Sequence, residues 1–300
     1  MGSITKVALA GATGNLGPAI LNALLDAEFQ VTVLTRQGSS HTFPISVAVK
    51  AVDYDSVDSL TAALQGQDAL VSTLGALALP KQVNLIQAAV QAKVKRFLPS
   101  EFGSNTSNPK AAQLPVFAGK VVVQDALKKE AEAGKLTYTL VSNGPFFDWG
   151  MRIGLVLNAK EKSVDLYDGG DKVYSATTLA TVGKAVAGVL KHPEETKNRA
   201  VFVQDVAVTQ KKLLTLAEKV TGEKWAANHV STENDVLGPA WAELKKENPD
   251  PSKFAVGFIK ASIFGEGYGS HFEKTDNALL GIREMGDGEI EAIIRDVVTH

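Results

Sequence analysis

The sequence predicts a doubly wound, parallel α/β sheet carrying a smaller, mostly helical lobe, on two observations. Short apolar runs alternate with amphipathic helical patterns through the first half, and a glycine-rich turn joins the first run to the first helix. The run Val7 to Ala10 leads into glycines at 11, 14 and 17, and Leu16, Ile20, Leu24 and Leu25 mark one face of the helix that follows. Gly11 permits a tight turn, Gly14 lets backbone approach a pyrophosphate, and Gly17 lets helix and strand pack. The N–H groups opening such a helix lack intrahelical partners and lie at the positive end of its dipole. Gly11, Thr13, Gly14, Asn15, Leu16 and Gly17 are therefore read as a phosphate cradle, and the fold as an NAD(P)-binding Rossmann fold. The spacing is G-x-x-G-x-x-G rather than G-x-G-x-x-G.

The remaining elements follow in order. Strands are expected at 29–34, 47–52, 69–74, 95–98 and 137–141, with helices at 56–64, 82–92 and 119–133 between several of them. After Gly144 come a Gly/Asp turn at 168–171, a helix near 181–190 and a strand at 200–203. Residues 210–285 read as several helices broken by Asn/Pro/Asp clusters, with a glycine-rich segment at 265–269. The expected organisation is a Rossmann domain over 1–153 with a return segment at about 180–208, and a discontinuous substrate-binding lobe over 154–300.

Composition narrows the function. A 300-residue chain that is 45% hydrophobic and 21% charged can bury a large core. A formal charge of -2 offers no global basic field, which argues against nucleic acid as the primary ligand. With no cysteine there is no disulfide framework, thiolate metal site or cysteine nucleophile, and redox chemistry requires a bound cofactor. The first strand begins too early for a secretory leader, Lys6 stands where a myristoylation signal needs Ser or Thr, and no apolar run approaches the roughly 18 residues of a membrane span. A cytoplasmic protein is expected. The five histidines lack metal-ligand spacing, so no metal is assigned.

Strand-end loops should carry the ligand. The second strand ends in Thr35-Arg36 where NAD enzymes carry an acid, so Arg36 favours the 2′-phosphate of NADP(H); the alternative is a solvated loop arginine. Asp53 and Tyr54 after the third strand are either adenine contacts or turn formers. Thr73, Leu74 and Gly75 close the fourth strand, and Ser100, Glu101 and Phe102 the fifth. Both sets should line the cleft, and Lys50 is a second phosphate-binding candidate by proximity. Aromatic residues at 146, 147 and 149, and again at 254, 258, 264, 268 and 272, can wall a flat substrate; the spacing of four within the second group is also that of a helical core face, and there the packing reading is favoured.

The order Gly11-Ala-Thr-Gly-Asn-Leu-Gly17, Thr35-Arg36, Phe97-Leu-Pro-Ser-Glu-Phe-Gly103, Lys120 and Ser142-Asn-Gly-Pro-Phe146 resembles the isoflavone reductase-like and NmrA-like atypical short-chain dehydrogenases over most of residues 1–210. The segment Phe97 to Gly103 looks especially like the plant phenylcoumaran benzylic ether, pinoresinol-lariciresinol and isoflavone reductases. The resemblance implies that Lys120 is catalytic as a general acid/base and cofactor contact; without it, Lys120 reads as an exposed helix lysine. Val116 stands where ordinary short-chain dehydrogenases carry their tyrosine. It further implies that Asn143, Pro145 and Phe146 pack the nicotinamide; otherwise these form a turn with core phenylalanines. Phe102, Phe147, Trp149, Tyr268 and His271 are the substrate candidates, His271 also reading as solvent-facing. The turn Ser142-Asn143-Gly144-Pro145 departs from the plant enzymes' Ser-Asn-Cys-Phe type and sets their substrates in question. The resemblance implies NADPH-dependent reduction of a small, aromatic, phenylpropanoid- or isoflavonoid-like molecule. The rival reading is an NmrA-like dinucleotide-binding redox sensor that partners a regulatory protein without turnover.

Overall fold

The computed structural model describes residues 3–299; Met1, Gly2 and His300, with the lipidation reading and the terminal histidine, lie outside the described residues. The first half alternates β1 (Lys6–Ala10), α1 (Gly17–Asp26), β2 (Gln30–Arg36), β3 (Ala48–Val52), α2 (Val57–Leu64), β4 (Ala69–Ser72), α3 (Gln82–Gln91) and β5 (Arg96–Leu98). A short α4 (Pro109–Ala112), α5 (Ala118–Glu132), β6 (Thr137–Ser142) and α6 (Phe147–Arg152) follow. Next come β7 (Ser163–Tyr167), β8 (Tyr174–Ala176), α7 (Leu179–Lys191), β9 (Arg199–Phe202) and β10 (Val206–Val208). The chain ends with α8 (Gln210–Thr221), β11 (Ala226–Val230), α9 (Gly238–Leu244), α10 (Pro251–Phe264), α11 (Asn277–Leu280) and α12 (Asp287–Thr299).

Seven strands form one sheet in the order β3-β2-β1-β4-β5-β6-β9, and every pairing is parallel. The order reverses between β1 and β4, which opens a crevice at their carboxyl ends. The strand residues explain the two-sided burial. Along β1, Val7 and Leu9 pack into the core under α1 and α7, whereas Ala8 and Ala10 pack into the one under α2, α3 and α5. Alternation with both faces covered is why β1 reads as one unbroken apolar run.

At the opposite end of the sheet, Asp68 ties three strands together. Its carboxylate accepts from Thr5 N at 3.0 Å, Lys6 N at 2.9 Å and Lys95 Nζ at 2.7 Å. Burial pushes this carboxyl up, but the Lys95, Lys6 and Thr5 hydrogen bonds outweigh it and hold the group well below the usual carboxylate range. A carboxyl depressed in the folded state contributes stability that is complete above the ordinary aspartate range, about pH 3.9, and is lost as pH falls below it. Asp68→Asn is therefore expected to destabilise the protein by about 2 kcal/mol at pH 7, with the difference shrinking toward acid pH in chemical denaturation.

Residues 210–285 hold the expected helices and one strand that the sequence reading lacks, β11, and the lobe also carries two short ribbons. β11 pairs in parallel with β7, and β10 pairs antiparallel with β8. Ala226 through His229 are exposed, so β11 lacks the apolar alternation by which a strand is read. Around these ribbons α6, α8, α9, α10 and α12 enclose a separate core containing Phe147, Tyr174, Phe258, Phe264 and Ile294. No helix among the described residues is long and apolar enough to cross a membrane.

Candidate active site

A cavity of about 550 Å³ opens at the carboxyl ends of β1 to β4. Its walls bring together Gly11, Thr13 and Gly14 from the first turn, Arg36 at the end of β2, Asp53 and Tyr54 after β3, and Thr73, Leu74 and Gly75 after β4. The turn is built for glycine at its start. Gly11 has φ +87°, and a Cβ there would lie 2.7 Å from Thr73 Oγ1, which donates to Gly11 O at 2.9 Å. A Cβ on Gly17 would meet Gly11 O at 2.3 Å, so the same turn packs tightly on the helix start. Around Gly14 the nearest protein atom to such a Cβ is 3.5 Å away, leaving room on the side facing the cavity. Asn15, Leu16 and Gly17 lie outside the cavity lining; the Leu16 side chain belongs to the core, so only its backbone is available to a ligand.

The start of α1 is suited to an anion. No side chain caps it and no acid occupies its first turn, so its free N–H groups and dipole are uncompensated by the protein. Arg36 supplies an exposed cation to the cavity lining. Tyr54 donates to Leu34 O at 3.1 Å; burial pushes its phenol up to about 12, and the Arg36 charge pulls the other way. Lys50 does not join this group, because it donates to Ala63 O on α2 at 2.8 Å. The lysine in the lining is instead Lys81, ion-paired to Asp55. His41 and Lys81 were not singled out in the sequence, because a loop and a 3₁₀ turn (Ala76–Lys81) bring them there and neither has a periodic signal.

Ser100, Glu101, Phe102 and Lys120 lie outside the cavity lining, joined to it by a chain of contacts. Ser100 donates to the carbonyl of the cavity residue Leu74 at 2.7 Å, and the carbonyl of the adjacent Glu101 accepts the Lys120 ammonium. Gly119, beside Lys120, faces Leu79 of the 3₁₀ turn. Lys120 is half-buried, with its ammonium 5.6 Å from the Phe117 ring centre. Burial pushes the ammonium below the ordinary lysine range, and the Glu101 carboxylate offsets part of that. The exposed-lysine reading of Lys120 is thereby corrected: the first turn of α5 points into the strand-end turn.

The end of β6 is packed from below. Asn143 N and Gly144 N donate to Gly103 O at 3.1 and 3.0 Å, and Thr177 N donates to Pro145 O at 3.1 Å. Phe146 is half-buried and meets Trp149 edge-on, with ring centres 6.2 Å apart. Two substrate candidates are corrected. Phe147 is fully buried in the second core, and Tyr268 is buried there beneath the Lys110 ammonium, 4.3 Å from the ring centre. Both are packing residues, because the chain turns inward after Phe146 and three side chains, Lys172, Lys110 and Asn108, grip successive carbonyls of the 265–267 segment. Phe102 is also largely buried, against the sheet, and His271 is exposed. The favoured packing reading of the later aromatics holds for Phe258, Phe264, Tyr268 and Phe272, all buried, although only the first two lie on α10.

The parallel sheet with its switch-point crevice defines a Rossmann-type dinucleotide-binding fold. The chain belongs to the NmrA-like family, whose sequence profile matches residues 4–239. It is similar to oxidoreductase poxI of Penicillium oxalicum, 33% identical over 299 residues, covering 96% of this chain and 93% of that protein. It is also similar to phenylcoumaran benzylic ether reductase PT1 of Pinus taeda, 30% identical over 293 residues and 91% of each chain. In fold it matches the structure of AtPrR2 with NADP+ and (+)pinoresinol, with TM-score 0.80, 23% identity, and 99% of this chain and 100% of that one covered.

Proposed function

We propose that the protein is an NADPH-dependent reductase of a small aromatic molecule, with Lys120 managing the proton. The observation that carries this reading is the chain of contacts from the cavity wall at Leu74 through Ser100 and Glu101 to the Lys120 ammonium. This chain of contacts links a desolvated ammonium to a cleft whose glycine turn and Arg36 suit a phosphorylated dinucleotide, and so supports the reading. The names of the relatives, oxidoreductases and a phenylcoumaran benzylic ether reductase, support the same reading.

NADP(H), when bound, supplies the hydride. The backbone of Gly11 to Gly14 and the open start of α1 would hold the pyrophosphate, and Arg36 would hold the 2′-phosphate. Lys120 Nζ gives a proton to the substrate atom that becomes electron-rich and regains it from solvent. Phe146, half-buried with Trp149 edge-on beside it, would offer the surface for the reacting ring, and Asn143 and Pro145, both buried, would fix the turn that carries it.

A hydrogen bond to a charged group is worth about 1.5–3 kcal/mol. Arg36→Ala is therefore expected to weaken NADPH binding by about tenfold or more while leaving NADH nearly unchanged, as read by calorimetric titration. The reaction itself is tested by following NADPH loss with a phenylcoumaran, a pinoresinol-type lignan, an isoflavone and a simple quinone. Turnover of at least one is expected. NADPH binding without turnover of any aromatic acceptor overturns the reductase and leaves a dinucleotide sensor.

A further inference from the structure

Glu101 is a carboxylic acid enclosed by protein, with only 3% of its surface exposed. Each oxygen has its own donor: Gln124 Nε2 reaches Oε1 at 3.1 Å, and Thr106 Oγ1 reaches Oε2 at 2.8 Å. Gln124 Nε2 also donates to Thr106 Oγ1 at 2.7 Å, so the two holders brace each other. Removing a carboxylate from water is costly, and an apolar residue of the same volume generally packs there at no loss. Packing alone therefore does not account for an acid at this position.

The backbone next to it is equally constrained. Phe102 has φ +21°, at the edge of the left-handed region that side chains rarely enter, and its ring is anchored in the core. Such strain persists only where the surroundings enforce it. Here Gly103 O is held by two N–H groups from the end of β6, and the Glu101 carbonyl receives the Lys120 ammonium. The Glu101 backbone carbonyl and the Phe117 ring face that ammonium, and the Glu101 carboxylate, held on Thr106 and Gln124, acts on it through space.

We propose that Glu101 is a positioning residue for Lys120: its carboxylate, anchored by Thr106 and Gln124, fixes the turn whose backbone carbonyl receives the ammonium. This rests on the reading of Lys120 as the proton-handling group. Gln124 lies one helical turn beyond Lys120 on α5, so the same helix that presents the lysine also aims the acid.

The test needs no substrate. The protein is labelled with 13C at the lysine Cε, the Lys120 resonance is assigned by its loss in Lys120→Met, and its pH midpoint is followed by NMR. An opposite charge at this range shifts a titration by about one pH unit or more. Glu101→Gln is expected to move the Lys120 midpoint down by about one pH unit, and Glu101→Asp to return it toward the wild-type position. A Lys120 midpoint that stays in place in a folded Glu101→Gln variant, or is displaced equally by Gln and Asp, overturns the proposal. A purely structural acid lowers the unfolding midpoint without moving this resonance. Should Glu101→Gln not fold, Thr106→Val, which frees one carboxylate oxygen, is expected to move the midpoint in the same direction by less, and an unmoved midpoint again overturns the proposal. Unchanged turnover in Lys120→Met removes the reading beneath this one, whereas the titration holds or fails by itself.

Discussion

Gly144→Ala is expected to destabilise the protein by about 3–5 kcal/mol. Gly144 has φ +63°, and a Cβ there would lie 2.0 Å from Ser175 O and 2.9 Å from Ser175 C. Neither side can retreat. Gly144 N is held by Gly103 O at 3.0 Å, and Ser175 is held by Ser270 O at 2.9 Å and by the pairing of β8 with β10. The added methyl group therefore separates the end of β6 from the ribbon that roofs it, close to Asn143 and Pro145. Urea unfolding reads the loss directly. A variant within about 0.5 kcal/mol of wild type, the range of an ordinary surface substitution, would show that this contact is not the constraint described.

Lys120→Met is expected to lower turnover by at least about 100-fold, the range that general acid–base groups supply, with NADPH binding and fold retained. Methionine fills the space of the lysine stem and removes a cation that burial disfavours. The pH behaviour carries a second signature. As the acid, Lys120 works in its protonated form, so wild-type turnover should decline as pH rises through a value below the ordinary lysine range, and this limb should be missing from the residual rate of the variant. Stability moves in the opposite sense. A lysine whose folded value is depressed binds fewer protons folded than unfolded between the two values, so wild-type stability rises with pH across that window and the variant's does not. Equal turnover in variant and wild type would remove Lys120 from the mechanism.

Much of the scaffold could be read before folding. The Rossmann half was legible because its strands are buried on both faces and its first turn needs glycine where glycine stands, at 11 and 17. Arg36, Asp53, Tyr54 and Thr73 were legible for a related reason: in a parallel sheet the ligand side is the carboxyl end of each strand, so strand order alone gathers them. The lobe was not. β7 and β11 form a two-stranded ribbon whose β11 residues face solvent, and nothing in Ala226-Ala227-Asn228-His229 distinguishes it from a loop. The Thr106 and Gln124 grip on Glu101 was hidden for another reason. It joins residues 5 and 23 positions apart by hydrogen bonds rather than by pattern, and polar spacing of that kind has no period to detect. Phe147 shows the reverse error, in which an aromatic residue near a site is read as its wall while the fold uses it to fill a core.

The central claim, that the glycine turn and Arg36 form an NADP(H) site, is tested most directly by calorimetric titration of the wild-type protein with NADPH, NADP+, NADH and NAD+. The two phosphorylated forms are expected to bind at least about tenfold more tightly than their counterparts, in line with one charge-assisted contact to the extra phosphate. Binding of none of the four, or equal binding of NADH and NADPH, would contradict it.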